Sequence, residues 1–132
     1  MELSTEECWL RLGLGTRGRL GVSADDSPGI YPVDYAVDDR TILFRTGSGE
    51  KLDRLRNNDR VVFEVDGEIG HGAWSVVVTG VARELDDEPE PRSAAIDMLP
   101  PWAPIAPYVY VRVVPSVVRG RRWEPRHAIE RN

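Results

Sequence analysis

Cysteine is nearly absent from this sequence. Cys8 stands alone among 132 residues, which excludes an internal disulfide and any CxxC metal site. Histidine is scarce as well: His71 and His127 are far apart, a poor basis for a zinc or iron centre. No apolar run approaches the ~20 residues that a membrane helix needs. The opening residues, Met1 to Glu7, are acidic, the reverse of a secretory leader. An excess of positive charge is missing too. The net charge is −5, which argues against generic nucleic-acid binding. Lysine is the last scarcity: 17 residues are basic, and Lys51 is the one lysine among them. These features describe a reduced, cytoplasmic protein with no nucleic-acid or membrane partner. The length fits a single domain over 1–132.

What is present reads mostly as β-structure. Ser4 with Glu7 is a capping-box pattern and predicts a helix over about 5–13, with Cys8, Trp9 and Leu12 at helical spacing. Strands are predicted over Arg17–Ala24, Ile30–Val37 and Thr41–Thr46, with Asp38-Asp39-Arg40 as a turn. Leu52 and Leu55 mark a short helix closed by Asn57-Asn58-Asp59. Arg60–Asp66, Ala73–Leu85 and Tyr108–Val118 follow as strands, with a turn at Glu68–Gly72. The acidic stretch Asp86–Pro91 reads as a loop and Arg92–Leu99 as a short helix. Pro100, Pro101, Pro104 and Pro107 mark an extended connector, and Arg119–Asn132 a basic polar tail. Six strands with short flanking helices predict a mainly β (α+β) fold, an antiparallel sheet closed into a small barrel, which removes the exposed edges of an open six-stranded sheet.

One segment suggests chemistry. Phe44-Arg45-Thr46-Gly47-Ser48-Gly49-Glu50-Lys51-Leu52 runs from a strand through a glycine-rich turn into a helix. If Ser48 caps that helix, Lys51 lies in its first turn, where a cation opposes the helix dipole at a cost of a few tenths of a kcal/mol. A bound anion reverses the sign, and turn N–H groups, two hydroxyls, Arg45 and Lys51 converge on it. Glu50 must then point away. The bland reading is a plain turn with Lys51 in solvent. The GxxxxGK[ST] spacing of nucleotide hydrolases is absent.

Six matches in order carry a resemblance. They are Gly18-Arg19-Leu20-Gly21-Val22, Pro32-Val33-Asp34-Tyr35, Phe44-Arg45-Thr46 through Lys51-Leu52, Val62-Phe63-Glu64-Val65-Asp66, Trp74-Ser75-Val76 with Gly80, and Val118-Arg119-Gly120-Arg121-Arg122. Together they resemble the pyridoxamine 5′-phosphate oxidase-like family of flavin-binding split barrels, in particular its short, nitroimidazole-resistance-like members. The resemblance implies a homodimer with FMN at the subunit interface and a small-molecule substrate, hence a flavin-dependent oxidoreductase. It puts Pro32, Val33, Asp34 and Tyr35 along the isoalloxazine and Arg45, Thr46, Ser48 and Lys51 on the phosphate. Trp74 and Ser75 fall where relatives touch the flavin, and Arg121, Arg122 and Trp123 would arrive from the other subunit. Nitroimidazole-resistance relatives carry histidine where this chain has Arg45. Gly120-Arg121-Arg122 only faintly echoes the substrate-phosphate motif of the vitamin B6 oxidases. A sister branch of the fold binds a deazaflavin coenzyme, and a non-catalytic flavin-binding protein is a third reading.

Several residues have a plainer alternative. Asp34 suits a local hydrogen bond better than acid–base work, and Cys8 suits a small core position. His71 and His127 read as exposed. Trp74 is divided evenly between flavin contact and barrel filling, and the Tyr31/Val33/Tyr35 stripe reads as core. Arg119, Arg121 and Arg122 are either a solvated tail or added positive charge at an anionic site. No nucleophile elbow joins serine, histidine and aspartate, which disfavours a hydrolase.

Overall fold

A computed structural model describes residues 1–85, 99 and 108–124. Helix α1 spans Thr5–Leu14, and helix α2 spans Glu50–Asn57. Seven strands make one antiparallel sheet among the described residues: β1 Arg17–Ala24, β2 Ser27–Asp34, β3 Ala36–Asp38, β4 Thr41–Thr46, β5 Arg60–Ile69, β6 Gly72–Glu84 and β7 Val109–Trp123. Their order is β2-β1-β5-β6-β7-β4-β3. The two edge strands are therefore consecutive in sequence. The chain can step from β2 to β3 at Tyr35 only because the sheet curls until its edges approach, which makes the split barrel.

Local chemistry sets the turns. Asp25 and Asp26 have φ of 52° and 60°, and Asp39 and Arg40 have 52° and 58°. Two successive residues at positive φ are what a two-residue turn needs to match the twist of its flanking strands. Pro28 and Pro32 lie on β2, an edge strand, where a missing N–H costs no ladder bond. Ser4 caps α1 by accepting the Glu7 N–H at 3.1 Å.

The core fills the curled sheet. Alternate residues of β1 and β5 point inward, including Leu20, Val22, Val61, Phe63 and Val65. Phe44, Leu12, Val76, Val78, Val111 and Val113 complete it. Each fully buried side chain of this kind is worth about 1.5–3 kcal/mol. The surface ion pairs, at about 0–1 kcal/mol each, are secondary. Helix α1 lies against β7, where Gly120 makes room: a Cβ there would meet Cys8 Sγ at 2.7 Å and Leu3 Cδ1 at 2.9 Å. Cys8 takes the small core position expected for it, and burial pushes its thiol pKa up.

Three expectations change. The strand expected over Ile30–Val37 begins earlier, at Ser27, and is two strands, because Tyr35 turns the chain from one sheet edge to the other. This raises the count from six strands to seven. The turn expected over Glu68–Gly72 is tighter, since β5 runs to Ile69 and only Gly70 and His71 remain between the strands. The basic tail expected from Arg119 is strand as far as Trp123, because the long β6 offers partners down to Ala73. The loop at Asp86–Pro91, the proline connector and His127 lie outside the described residues. So does the helix expected over Arg92–Leu99, except Leu99, which is buried with Ala36 and Leu43.

Candidate functional site

The glycine-rich turn behaves as a corner between β4 and α2. Gly49, not Ser48, is at the N-cap of α2, with φ 146° and no side-chain cap bond. That conformation is nearly exclusive to glycine. A Cβ on Gly49 would have nothing within 4 Å, so the corner opens outward. Ser48 is exposed beside it, while Thr46 is buried and donates its hydroxyl hydrogen bond to the Gly47 carbonyl at 3.1 Å. Thr46 is the one buried polar residue among those described.

Lys51 lies in the first turn of α2, half-buried, its Nζ 5.9 Å from the centre of the Phe44 ring. Burial lowers its pKa, and attraction to Asp34 works the other way. Among the described residues no carboxylate forms an ion pair with it. Of the acids around it, Asp53 in the same turn is exposed, and Asp34 and Glu50 are engaged elsewhere. Asp34 accepts from Arg17 Nε at 3.0 Å and from its Nη2 at 3.4 Å. Glu50 Oε2 accepts from Tyr31 at 2.8 Å and from Arg54 Nε at 3.1 Å. Arg54 also donates to the Ser27 carbonyl at 2.7 Å, which fastens α2 along β2. Glu50 thus points away from the corner, as an anion there requires. Arg45 lies 4.5 Å from the centre of the Tyr108 ring. The corner presents donors: the Ser48 hydroxyl, a guanidinium, an ammonium and the first N–H groups of α2, while the Thr46 hydroxyl is spent on Gly47.

The remaining candidates divide. On β2, Pro32 is exposed and Val33 is buried in the core. Tyr35 is buried as well. Its hydroxyl donates to the Leu12 carbonyl, its N–H donates to Thr16, and burial pushes its pKa up to about 12. Trp74 belongs to the core, 8% exposed, with Arg11 above its ring at 5.8 Å; this is the barrel-filling reading. Ser75, Arg121 and Trp123 occupy the outer face at the far ends of β6 and β7, where Ser75 pairs with Arg121. Arg122 pairs with Trp74, and its side chain reaches Glu124 at 3.4 Å. Within one chain these residues do not join the corner. Arg45 and Thr46 pair with Tyr110 and Val109 at the start of β7, while Arg121–Trp123 end it. The two groups are separated by about 40 Å of strand at ~3.3 Å per residue.

Sequence reasoning missed Tyr108 as the ring under Arg45, and Arg17 and Tyr31 as the groups that occupy Asp34 and Glu50. The Glu50/Arg54 spacing was the one readable signal, since residues four apart on a helix meet. The other contacts join residues distant in sequence.

Residues 4–122 match the family described as pyridoxamine 5′-phosphate oxidase. The chain belongs to that family. Among solved structures, the FAD-binding protein of Mycobacterium smegmatis is 37% identical, with a TM-score of 0.80 over 94% of this chain and 100% of that one. A FAD-binding protein of Mesorhizobium loti is 30% identical, with a TM-score of 0.81 over 94% of this chain and 98% of the other. An uncharacterized protein of Rhizobium meliloti is 34% identical over 84 residues, 63% of this chain. The match spans 56% of that relative's length. No described helix is long and apolar enough to cross a membrane.

Proposed function

We propose that this member of the pyridoxamine 5′-phosphate oxidase family binds FMN at the β4–α2 corner and acts as a flavin-dependent oxidoreductase on a small molecule, as a homodimer. One observation carries this reading. Lys51 is a half-buried cation at the wrong end of a helix, with no ion-pair partner among the described residues, in a corner lined by donors. An anion there would neutralise the Lys51 ammonium and accept from the open N–H groups at the start of α2. The donor set fits a phosphate ester: the exposed Ser48 hydroxyl, the Arg45 guanidinium, the Lys51 ammonium and the open N–H groups beside Gly49, with the Thr46 hydroxyl joining only by giving up its bond to the Gly47 carbonyl.

The flavin, when bound, supplies the hydride and electron chemistry. The chain binds and orients it. Edge strand β2 presents every second backbone group away from β1, so Pro32–Tyr35 can line a ring system through main-chain contacts. Neither Asp34 nor Tyr35 is set up as an acid or base. Asp34 is held by Arg17, and Tyr35 is buried with its proton committed to Leu12. A protein of this kind leaves proton handling to solvent and cofactor.

FAD is a second reading, favoured by the names of two relatives that cover nearly the whole chain. The outward opening at Ser48 and Gly49 would let an adenylate extend past the phosphate. Titrating stripped protein with riboflavin, FMN, FAD and a deazaflavin coenzyme separates these readings. Tight FMN binding with much weaker riboflavin binding is expected. Lys51→Ala should weaken FMN binding by about 1.5–3 kcal/mol and leave riboflavin unaffected. An unchanged FMN dissociation constant in that variant overturns the phosphate assignment. Failure of all four ligands to bind would leave a protein without this cofactor function.

A further inference from the structure

Where β2, β1 and β5 lie side by side, their outer face has a notch in place of a side chain. Gly21 on β1 stands between Ile30 on β2 and Val62 on β5. Both neighbours are exposed, Ile30 at 67%. The gap between them is a cavity of about 510 Å³. Ser23, Pro28 and Arg60 line it at the end nearer the β1–β2 turn. At the other end the next row is Pro32, Arg19 and Glu64.

The fold itself does not require this glycine. At Gly18 a Cβ would strike the Phe63 ring, and at Gly120 it would meet Cys8 Sγ at 2.7 Å, so packing demands both. A Cβ on Gly21 would make only ordinary contacts, 3.6 Å to the Val62 carbonyl oxygen and 4.0 Å to the Val62 Cβ. Its φ is not positive either. Glycine inside a strand weakens it, and one use of that cost is to let a ligand come close. The notch also has a polar end. Among the described residues Arg60 has no carboxylate partner, and the Ser23 hydroxyl has no hydrogen bond. An apolar cleft with a few convergent polar groups is the usual make-up of a small-molecule site.

We propose that the Gly21 notch binds a small aromatic monocarboxylate, its ring between Ile30 and Val62 and its carboxylate on Arg60 and Ser23. Two strand spacings of ~4.8 Å part the backbones of β2 and β5. With a side chain on each wall, the remaining slot suits a flat ring standing on edge. The planar guanidinium of Arg60 matches a carboxylate in two parallel hydrogen bonds. Its backbone N–H donates to Asn58 Oδ1 at 3.1 Å, and Asn58 Nδ2 donates to the Ser23 carbonyl at 2.8 Å. Asn58 therefore ties the two polar residues together before any ligand arrives, which lowers the cost of binding.

Charge fixes both the orientation and the class of the ligand. The cation at the far end, Arg19, is held by Glu64 at 2.6 Å and Asp66 at 3.2 Å, so it offers no excess charge. Only the Arg60 end can take the carboxylate. Asp25, Asp26 and Asp59 lie at that same end, all exposed and none in an ion pair with Arg60. Their repulsion favours a singly charged ligand over a phosphate ester. The notch thus differs from the β4–α2 corner in chemistry, and it shares no lining residue with it. This site goes beyond the flavin reading and does not depend on it.

Calorimetric titration of the flavin-free full chain with naphthoate is expected to show one site with a micromolar Kd. The uncharged methyl naphthoate should bind about tenfold more weakly. Gly21→Val fills the notch without a clash, so it should fold with an unchanged urea midpoint or a raised one and take up no naphthoate. Arg60→Gln should weaken naphthoate about tenfold and leave the ester unaffected. Gly21→Val should leave FMN affinity unchanged, and Lys51→Ala should leave naphthoate affinity unchanged. Absence of naphthoate binding, wild-type binding in a folded Gly21→Val, or an ester as tight as the acid overturns the site. Tighter binding of decanoate than of naphthoate would overturn the aromatic class. Competition between naphthoate and FMN would move the ligand to the corner and overturn the separate notch. No naphthoate uptake, together with self-association altered by Gly21→Val, would mean that a second copy covers the notch and would also overturn the proposal. Naphthoate binding that behaves as described in a chain that takes no flavin would overturn the cofactor reading alone.

Discussion

The β4–α2 corner and the far end of β6–β7 are both rich in cations, but they solve different problems. At the corner the acids are drawn away: Glu50 is tied to Tyr31 and Arg54, and Asp34 to Arg17. What remains is Lys51 with no carboxylate in an ion pair among the described residues, on a backbone fixed by a helix start and a glycine at φ 146°. At the far end Arg119, Arg121 and Trp123 stand on regular strand, evenly spaced and outward. Their positions are set by the ladder with β6 and not by any local turn. A corner that concentrates donors at one point suits a small anion. A strand face that spreads them at two-residue intervals suits another surface.

Substitutions can break that contrast, and the largest effect is expected beneath both regions. Trp74 fills the core, with Gly67 under its ring. Trp74→Ala should cost about 3–5 kcal/mol, read as a lowered urea midpoint. Trp74→Phe should keep the fold and the FMN affinity together. A folded Trp74→Phe protein with tenfold weaker FMN binding would move this residue from core to site. Next is Gly49→Ala. A Cβ there meets nothing, so the whole cost is conformational, about 1–3 kcal/mol. The same substitution at Gly13, inside α1 and with equally open surroundings, should instead stabilise by up to about 1 kcal/mol in a parallel denaturation series.

Much of the fold was legible because it rests on local patterns. Alternation placed β1, β4, β5 and β6, and the Ser4/Glu7 box placed α1. The break at Tyr35 was not legible. Tyr31, Val33, Tyr35 and Val37 alternate without interruption, and only the closing of the sheet forces the chain to change edges there. The extension of β7 past Val118 was hidden for a related reason. Arg119, Arg121 and Arg122 look like a tail until β6 supplies a strand to pair with. At the corner, Lys51 could be read from its place after Gly-Ser-Gly, but the groups that turn Glu50 and Asp34 aside lie elsewhere in the sequence. The sequence left the cap conditional on Ser48. Gly49 takes the position because its φ suits no other residue.

The next effect is a matter of pH. Burial lowers the Lys51 pKa in the free protein, so the ammonium disfavours folding at pH below that lowered value and the penalty is relieved as pH rises through it. A bound phosphate favours the charged form and raises the pKa again. FMN affinity should therefore fall as pH climbs through the lowered value of the free protein, with FMN binding taking up a proton. Fluorescence titrations between neutral and alkaline pH would show this slope for FMN. It should vanish in Lys51→Ala, and an identical slope in that variant would assign the proton to another group.

The smallest expected effect lies at the opposite end of α2 from the corner and calibrates both regions. Glu84 is paired with Arg56 at 2.7 Å and 2.9 Å, and that hydrogen-bonded contact holds its carboxyl below the ordinary carboxylate range. A depressed carboxyl stabilises the fold above its unfolded pKa, and the contribution is lost as pH falls through the folded value. Arg56 is largely exposed, so the pair should be worth under about 1 kcal/mol. Glu84→Gln should lower the neutral-pH urea midpoint slightly, leave the acid-pH midpoint where it was, and change neither FMN affinity nor the dimer constant. Loss of FMN affinity in Glu84→Gln would mean that the corner responds to general loosening of the barrel. The contrast between a built anion corner and a spread strand face would then have to rest on Lys51 alone.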